Sequence, residues 1–265
     1  MIPKFKFHNI LVNGQETIPG KEFYNQSPSC ERITHFFCFR YPYNDRNKIR
    51  IVDLGPLEGG HAAELIRYGF DVTCIEGRAE NCAKLQWLKE QLPKGSAMTI
   101  IHDDVWNIEK YGKFDVVLCA GLLYHLDRPV EFIKLITGCA KEAVILSTHY
   151  SEKEDFRYDL IKDSFRIIRK AYKLFPFLFR RRYFALSKLQ MNEGYPGRWF
   201  EEFKPTTDPR KIKNLLASAL TNHRSFWLTK WSLRDLITKN GFRIDDFSDD
   251  NKNAIILYIS TKIKR

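Results

Sequence analysis

The chain has 265 residues, 44% of them hydrophobic, so we expect a folded protein with one large domain or a core and an elaboration. It lacks an 18-residue apolar run, an apolar N-terminal leader and a CxxC pair among its six cysteines, which argues against a membrane span, a signal peptide and a zinc site. The formal net charge of +11 indicates an anionic partner or surface.

Residues 1–47 are irregular in pattern and rich in aromatic side chains. Apolar residues share one side of a short helix that we predict at 30–39. We expect the whole segment to cover the core; the alternative is a lid over a ligand. Three polar residues are candidates for the mouth of a site: Arg32, His35 and Arg40.

A strand, a glycine turn and a helix are predicted between residues 49 and 69. Asp53 ends the strand, and Gly55 and Gly59 lie in the turn. Such a unit opens a doubly wound sheet, in which a nucleotide-like ligand lies at the carboxyl end of the strand. Asp53 is therefore a ligand candidate, with turn capping as the alternative. Glu58 either contacts the ligand or complements the helix dipole.

Acidic residues follow the next two predicted strands. Glu76 ends the second strand, 23 residues after Asp53 (76 − 53), a distance that fits a carboxylate accepting hydrogen bonds from ribose hydroxyls. The alternative for Glu76 is a surface strand end. Asp103 and Asp104 follow the third strand; Asp104 is the ligand candidate, and Asp103 could cap the turn instead.

The fourth predicted strand, residues 114–119, leads into Tyr124 and His125. An imidazole titrates near neutrality, so His125 is a candidate general base. Its alternative role is structural, in front of a helix that starts near Pro129. His149, which follows the next apolar strand, is a second candidate base, with an ordinary loop histidine as the alternative.

Basic residues are concentrated in the segment 150–230, which holds 18 Lys and Arg against 9 Asp and Glu, a net charge of 18 − 9 = +9. Residues 165–188 carry eight basic residues, no acid and many aromatics. This composition fits contact with an anionic membrane surface or with the phosphate backbone of RNA. The alternative is a helical pair, broken near Pro176, whose apolar side packs on the core.

The loop Gly194–Trp199 is predicted to be rigid and to present Tyr195 and Arg198. A guanidinium there could hold a carboxylate or phosphate of an acceptor molecule. A helix that ends at Gly241 and two further strands complete the chain. The alternation of strands and helices indicates an α/β fold.

Taken together, the acids after successive strands, the Asp53-x-Gly55 turn and Phe114-Asp-Val-Val117 resemble the class I S-adenosylmethionine-dependent methyltransferases. The resemblance implies a doubly wound, mostly parallel seven-stranded sheet with an antiparallel final strand, and a helical insertion before the last helix. The stretch from Gly121 to Pro129 is similar to the branch that includes the tRNA wobble-uridine carboxymethyltransferases. The turn departs from the family's Asp-x-Gly-x-Gly-x-Gly, because Pro56-Leu57 stands where the family has a variable residue and its second glycine.

The resemblance also implies roles for individual residues and S-adenosyl-L-methionine as the cofactor, with no metal. Tyr124, His125 and His149 are the catalytic candidates, and Tyr195 and Arg198 are the acceptor-binding candidates. The residues expected to bind the cofactor are Asp53, Gly55, Glu58, Gly59, Glu76, Gly77, Arg78, Asp104, Val105 and Gly121.

We expect a covering segment at 1–47, a cofactor-binding core at 48–149 and 231–265, and an acceptor pocket or lid at 150–230. The leading hypothesis is a methyltransferase that acts on a small-molecule or lipid- or glycan-linked acceptor. The alternatives are a tRNA wobble-uridine modifying enzyme and a catalytically inactive binding protein of the same fold. We expect a cytoplasmic protein, with peripheral membrane attachment as an alternative.

Overall fold

The computed structural model describes residues 2–152, 186–251 and 253–263. The basic segment 165–188 therefore lies almost entirely outside the described residues, and with it both the expected contact to membrane or RNA and the alternative of a helical pair packed on the core. Among the described helices, none has both the length and the apolar character needed to cross a bilayer.

The elements follow one another as the sequence pattern predicts through most of the chain. In chain order they are β1 (Leu11–Val12), β2 (Gln15–Glu16), α1 (Pro28–Arg40), β3 (Arg50–Leu54), α2 (Gly60–Arg67), β4 (Asp71–Glu76), α3 (Ala79–Gln91), β5 (Met98–His102), β6 (Phe114–Ala120), α4 (Pro129–Cys139), β7 (Ala140–His149), β8 (Gln190–Asn192), β9 (Tyr195–Glu201), α5 (Pro209–Lys213), β10 (Arg224–Leu228), α6 (Lys230–Lys239), β11 (Phe242–Asp250) and β12 (Ile255–Lys262).

The principal sheet has seven strands in the order β11-β12-β7-β6-β3-β4-β5. The five strands from β7 to β5 pair in parallel, whereas β12 pairs antiparallel with both β7 and β11. Helices cover both faces, and each face has its own buried apolar cluster, as parallel strands require. The predicted doubly wound sheet with an antiparallel final strand is confirmed.

The N-terminal helix α1 begins where its sequence dictates. The hydroxyl oxygen of Ser27 accepts a hydrogen bond from the amide of Cys30, and Pro28 occupies the first turn, where its missing amide costs nothing. Ile33 and Phe37 on its inner side are fully buried against the sheet. Helix α1 thus packs on one face of the core.

The described part of the 150–230 segment contains three strands and one short helix. Strands β8, β9 and β10 form a separate antiparallel sheet, and α5 is a short helix. A Cβ at Gly197 would lie 2.4 Å from both Phe226 and the Trp227 carbonyl, so only glycine allows these strands to approach so closely. The amide of Phe226 donates to the carbonyl of Leu126, which joins this sheet to the core.

Candidate functional site

A cavity of about 310 Å³ opens at the carboxyl ends of the parallel strands. Its walls come from the turns after β3, β4, β5 and β6, and residues 216–222 contribute a further wall. Ligands of doubly wound folds bind at this edge of the sheet. Ten of the predicted site residues line it: Asp53, Gly55, Glu76, Gly77, Arg78, Asp104, Val105, Gly121, Tyr124 and His125.

The turn after β3 keeps its backbone close to the cavity. Gly55 has a φ of 63°, and a Cβ there would lie 3.1 Å from the Leu122 side chain. Leu57 has a φ of 58°, in the left-handed region that glycine adopts at little cost. The substitution noted in the sequence therefore leaves the glycine-like turn in place, and the Leu57 amide donates to Oε2 of Glu76 at 3.2 Å.

Two buried carboxyl groups face this turn. Asp53 is 1% exposed and its Oδ2 has no hydrogen-bond partner among the described residues. Burial, together with the nearby charge of Glu76, raises the pKa of Asp53 to about 7. Burial also raises the pKa of Glu76, although the amides of Leu57 and Arg78 donate to its oxygens. An orphaned carboxylate beside a tight turn fits a ligand that carries an ammonium group.

Asp103 and Asp104 have different partners. Asp103 accepts hydrogen bonds from the Asn107 amide and the Tyr111 hydroxyl at 2.7 and 2.6 Å, so it holds its own loop together. Oδ1 of Asp104 accepts from the amide of Trp106 at 3.1 Å and caps the short helix that begins at Val105. Asp104 lines the cavity and Asp103 does not, as the sequence favoured.

His125 is paired with a carboxylate that the sequence analysis missed. Nδ1 of His125 lies 2.8 Å from Oε1 of Glu202, whose side chain is 2% exposed. Glu202 also accepts hydrogen bonds from the hydroxyl of Ser225 at 2.8 Å and the amide of Ala219 at 3.2 Å. This contact fixes the imidazole ring. In the neutral tautomer whose Nδ1 hydrogen is donated to Glu202, Nε2 is the proton acceptor.

Tyr124 lines the cavity next to His125, with ring centroids 4.2 Å apart. Burial raises the pKa of Tyr124 to about 12, so the phenol stays protonated near neutral pH. His149 does not line the cavity; its ring lies 4.5 Å from that of Tyr124 and stacks on Trp227 at 4.7 Å. His149 therefore packs against the ring of Tyr124 outside the cavity lining, and its role as a base stays a prediction.

Arg78 borders the cavity but its guanidinium is directed at the 216–222 wall. It donates to the carbonyls of Ile212, Ser218 and Ala219 at 3.2, 3.2 and 2.8 Å. Because these carbonyls belong to one segment, Arg78 ties that wall to the turn after β4. Arg78 lines the cavity as well, so its contact with the cofactor stays a prediction.

The N-terminal segment contributes three residues that the sequence analysis did not assign to the site: His8, Tyr24 and Ser29 line the cavity. The mouth candidates Arg32, His35 and Arg40 do not line it. Arg32 instead forms an ion pair with Asp246 at 2.7 Å.

Four further predicted residues lie away from the cavity. Glu58 is fully buried, and its carboxylate accepts hydrogen bonds from the amides of residues 6, 7 and 8. It also forms an ion pair with Lys84 at 2.8 Å. Its oxygens are therefore committed, which corrects its assignment to the cofactor. Gly59 packs against α3 instead. The other two donate elsewhere, Tyr195 to Asp235 and Arg198 to the carbonyls of Glu152 and Ser187.

Within the described residues, no three His, Cys, Asp or Glu side chains are grouped so that they could hold an ion. The polar groups of the cavity are hydrogen-bond donors and acceptors suited to an organic ligand.

The family model that matches this chain is described as a methyltransferase domain and covers residues 52–147, from β3 to β7. Residues 52–147 are thus similar to a methyltransferase domain. The chain is 29% identical over 123 residues to the ubiquinone biosynthesis O-methyltransferase of Rickettsia typhi, a match that covers 45% of this chain and 48% of that protein. The counterpart from Rickettsia felis is 26% identical over 121 residues and 49% of its length. The chain thus spans about half the length of the curated relatives it matches.

Solved structures resemble the whole described fold. The N-terminal domain of EvdMO1, crystallised with S-adenosylhomocysteine and D-fucose, has a TM-score of 0.62 at 21% identity and covers 97% of this chain and 90% of its own. Magnesium protoporphyrin IX methyltransferase from Synechocystis PCC 6803, with bound S-adenosylhomocysteine, has a TM-score of 0.57 at 14% identity, covering 89% and 82%. These likenesses confirm the predicted class I methyltransferase fold.

Proposed function

We propose that the protein is an S-adenosylmethionine-dependent methyltransferase that acts on a small molecule. The observation that carries the proposal is the single cavity that joins the carboxyl groups of Asp53 and Glu76 to the His125–Glu202 pair. The methyltransferase domain and the S-adenosyl ligands of the structural neighbours support it. Fold alone would not, because one fold hosts many reactions.

The cavity residues match the chemistry of the cofactor. Asp53, with its orphaned oxygen, would pair with the amino group, and Glu76 would accept hydrogen bonds from ribose hydroxyls. Asp104 at the end of β5 would border the adenine. S-adenosylmethionine supplies a methyl group on a positively charged sulfur. The absence of a Cβ at Gly55 lets the ligand approach the backbone.

The chain itself would provide the proton acceptor. Nε2 of His125 would take the proton of an acceptor hydroxyl whose oxygen receives the methyl group. S-adenosylmethionine, when bound, would supply that methyl group, with its sulfur as the leaving group. Glu202 stabilises the imidazolium that results, since their atoms lie 2.8 Å apart in a buried setting. Because charge is dispersed in this transfer, a cavity that excludes water favours it. Tyr124 contributes a protonated, aromatic wall beside His125.

The proposed base, His125, indicates that the group receiving the methyl is a hydroxyl. An amine with a free lone pair or a carboxylate needs no proton acceptor before methylation, whereas an alcohol or phenol does. The Rickettsia relatives, named as ubiquinone biosynthesis O-methyltransferases, agree with this choice.

The test is methyl transfer from radiolabelled S-adenosylmethionine to panels of phenols, sugar alcohols, amines and carboxylates. We expect product only with hydroxyl acceptors, and loss of that product with His125→Ala. Transfer to amines or carboxylates at equal rates in the variant would overturn the assignment of the base.

A second candidate is a tRNA wobble-uridine modifying enzyme that uses a carboxylated cofactor. The net charge of +9 between residues 150 and 230 favours it, as does the Gly121 to Pro129 motif. Binding of tRNA at low salt, combined with preference for the carboxylated cofactor, would support this candidate. A folded protein that binds no S-adenosyl compound would instead be an inactive member of the fold.

A further inference from the structure

Three consecutive carbonyl groups, those of residues 124–126, accept hydrogen bonds from one later stretch of the chain, residues 222–227. The first carbonyl accepts from Nε1 of Trp227 at 3.0 Å, and the second, that of His125, accepts from Nδ2 of Asn222 at 2.9 Å. The third accepts from a backbone amide of β10 at 2.8 Å. The backbone around His125 is therefore held by donors that lie far from it in the sequence.

Asn222 has a side-chain amide whose orientation is set by its partners. Its Nδ2 also donates to the carbonyl of Arg224, at the start of β10, at 2.7 Å. Both partners are carbonyl oxygens, which only accept hydrogen bonds, so the nitrogen of the amide must face them. Asn222 lines the cavity as well. It thus joins the cavity wall to β10 and to the turn that carries His125.

The imidazole ring of His125 is tied to the same stretch through Glu202. Oε1 of Glu202 lies 2.8 Å from Nδ1 of His125 and accepts a hydrogen bond from the Ser225 hydroxyl at 2.8 Å. Oε2 accepts from the amide of Ala219 at 3.2 Å. The Glu202 side chain is 2% exposed, so these hydrogen bonds form in a buried setting. Residues 219–227 therefore hold both the backbone and the ring of His125.

The cavity wall that contains Ala219 is itself fixed on its opposite side. The carbonyl of Ala219 accepts a hydrogen bond from Arg78 at 2.8 Å, while its amide donates to Glu202. Leu220 packs on the turn after β4, because a Cβ at Gly77 would lie 2.7 Å from its side chain. The stretch that holds His125 is thus anchored to the edge of the principal sheet.

We propose that residues 219–227 form a clamp that positions His125 for proton abstraction, with Asn222 as a positioning residue. A base must lie within hydrogen-bond reach of the hydroxyl, and a misplacement of about 1 Å can lower the rate by about 100-fold. The clamp lies beyond residues 52–147, the part of the chain that the methyltransferase model matches. The inference rests on the proposed function, in which His125 is the base.

The first experiment observes the Nδ1 hydrogen of His125 by NMR on the full chain with isotope-labelled histidine, and it needs neither cofactor nor acceptor. We expect a downfield signal that is protected from exchange with water and is assigned by its loss in His125→Ala. Asn222→Leu keeps the shape of the side chain but removes the donor, so the signal should broaden or disappear. The exposed Asn214→Leu is the matched control and should retain it. An unchanged signal in Asn222→Leu, or no protected signal in the unsubstituted protein, would overturn the clamp.

The second experiment separates positioning from binding. With a hydroxyl acceptor, Asn222→Leu should lower kcat by about 10- to 100-fold and change the Kd of S-adenosylhomocysteine by less than about twofold. Trp227→Phe, which keeps a buried ring but lacks the indole N–H, should lower kcat as well. A phenol that is already ionised at the assay pH needs no base, so both variants should methylate it nearly as fast as the unsubstituted protein.

Equal loss of kcat with ionised and un-ionised phenols would show a merely structural role for Asn222 and overturn the clamp. An unchanged kcat in Asn222→Leu would contradict the clamp alone and leave the proposed function intact. An unsubstituted protein that transfers methyl groups to no hydroxyl would instead contradict the proposed function, and with it the role of the clamp.

Discussion

Asp53 is a residue whose charge should oppose folding and support binding, and Asp53→Asn separates these effects. Its pKa is raised from 3.8 to about 7 by burial, with no partner for Oδ2. Between these two pKa values, Asp53 keeps its proton in the folded protein and has lost it in the unfolded chain. The free energy of unfolding therefore falls as pH rises from about 4 to 7, and the full cost is present above pH 7.

A shift of about three pKa units corresponds to roughly 4 kcal/mol of destabilisation at pH 8. Asparagine removes this cost because it carries no charge. Its buried, unpaired amide destabilises the folded protein by about 1–3 kcal/mol in turn. We therefore expect Asp53→Asn to raise the melting temperature of the ligand-free protein by roughly 2–8 °C at pH 8. The gain should shrink at pH 5, where folded Asp53 is already protonated.

The same substitution should weaken S-adenosylhomocysteine binding by roughly 10- to 100-fold, because a charged acceptor for the amino group is lost. Thermal denaturation at pH 5 and 8 and calorimetric titration measure the two effects. The exposed Asp71→Asn serves as the matched control and should change neither. A less stable Asp53→Asn protein at pH 8, or one with unchanged affinity, would refute this account of Asp53.

Other predictions concern the ribose, the cavity wall and the base. Glu76→Ala should weaken S-adenosylhomocysteine binding by about 1–3 kcal/mol in calorimetry; unchanged affinity would exclude Glu76 as the ribose acceptor. Arg78→Met should release the 216–222 wall and speed ligand dissociation in stopped-flow experiments, unlike the exposed control Arg243→Met; equal rates would mean that the wall is held by other contacts. His125→Ala should lower turnover by roughly 10²–10⁴-fold and Glu202→Gln by less, with cofactor affinity nearly unchanged; turnover equal to that of the unsubstituted protein would leave both with a structural role.

The sequence predicted the sheet and most of the cavity because those residues follow a local rule. Asp53, Glu76 and Asp104 lie at or just beyond the carboxyl ends of apolar strands, and the ends of parallel strands meet at one edge. The positions of the turn glycines could likewise be predicted from the sequence. Even Leu57, where the family has glycine, adopts the left-handed conformation that the turn requires.

The remaining site residues could not be predicted because their partners are distant in sequence. Glu202 lies 77 residues from His125, directly after β9, in a stretch with no catalytic motif. His8, which lines the cavity, is held there in part by Glu58, 50 residues away, whose carboxylate accepts a hydrogen bond from its amide. Glu58, next to the glycine turn, was a candidate for ligand contact. Its oxygens instead accept hydrogen bonds from the backbone of the N-terminal segment. Such contacts depend on tertiary packing, which periodicity does not encode.

The most direct test of the proposed function is calorimetric titration of the full chain with S-adenosylmethionine, S-adenosylhomocysteine and the carboxylated analogue. We predict micromolar binding of the first two at a single site, with weaker binding of the analogue. Preference for the carboxylated analogue would contradict the choice of cofactor and favour the RNA-modifying candidate. A folded protein that binds none of the three would contradict the assignment as a methyltransferase.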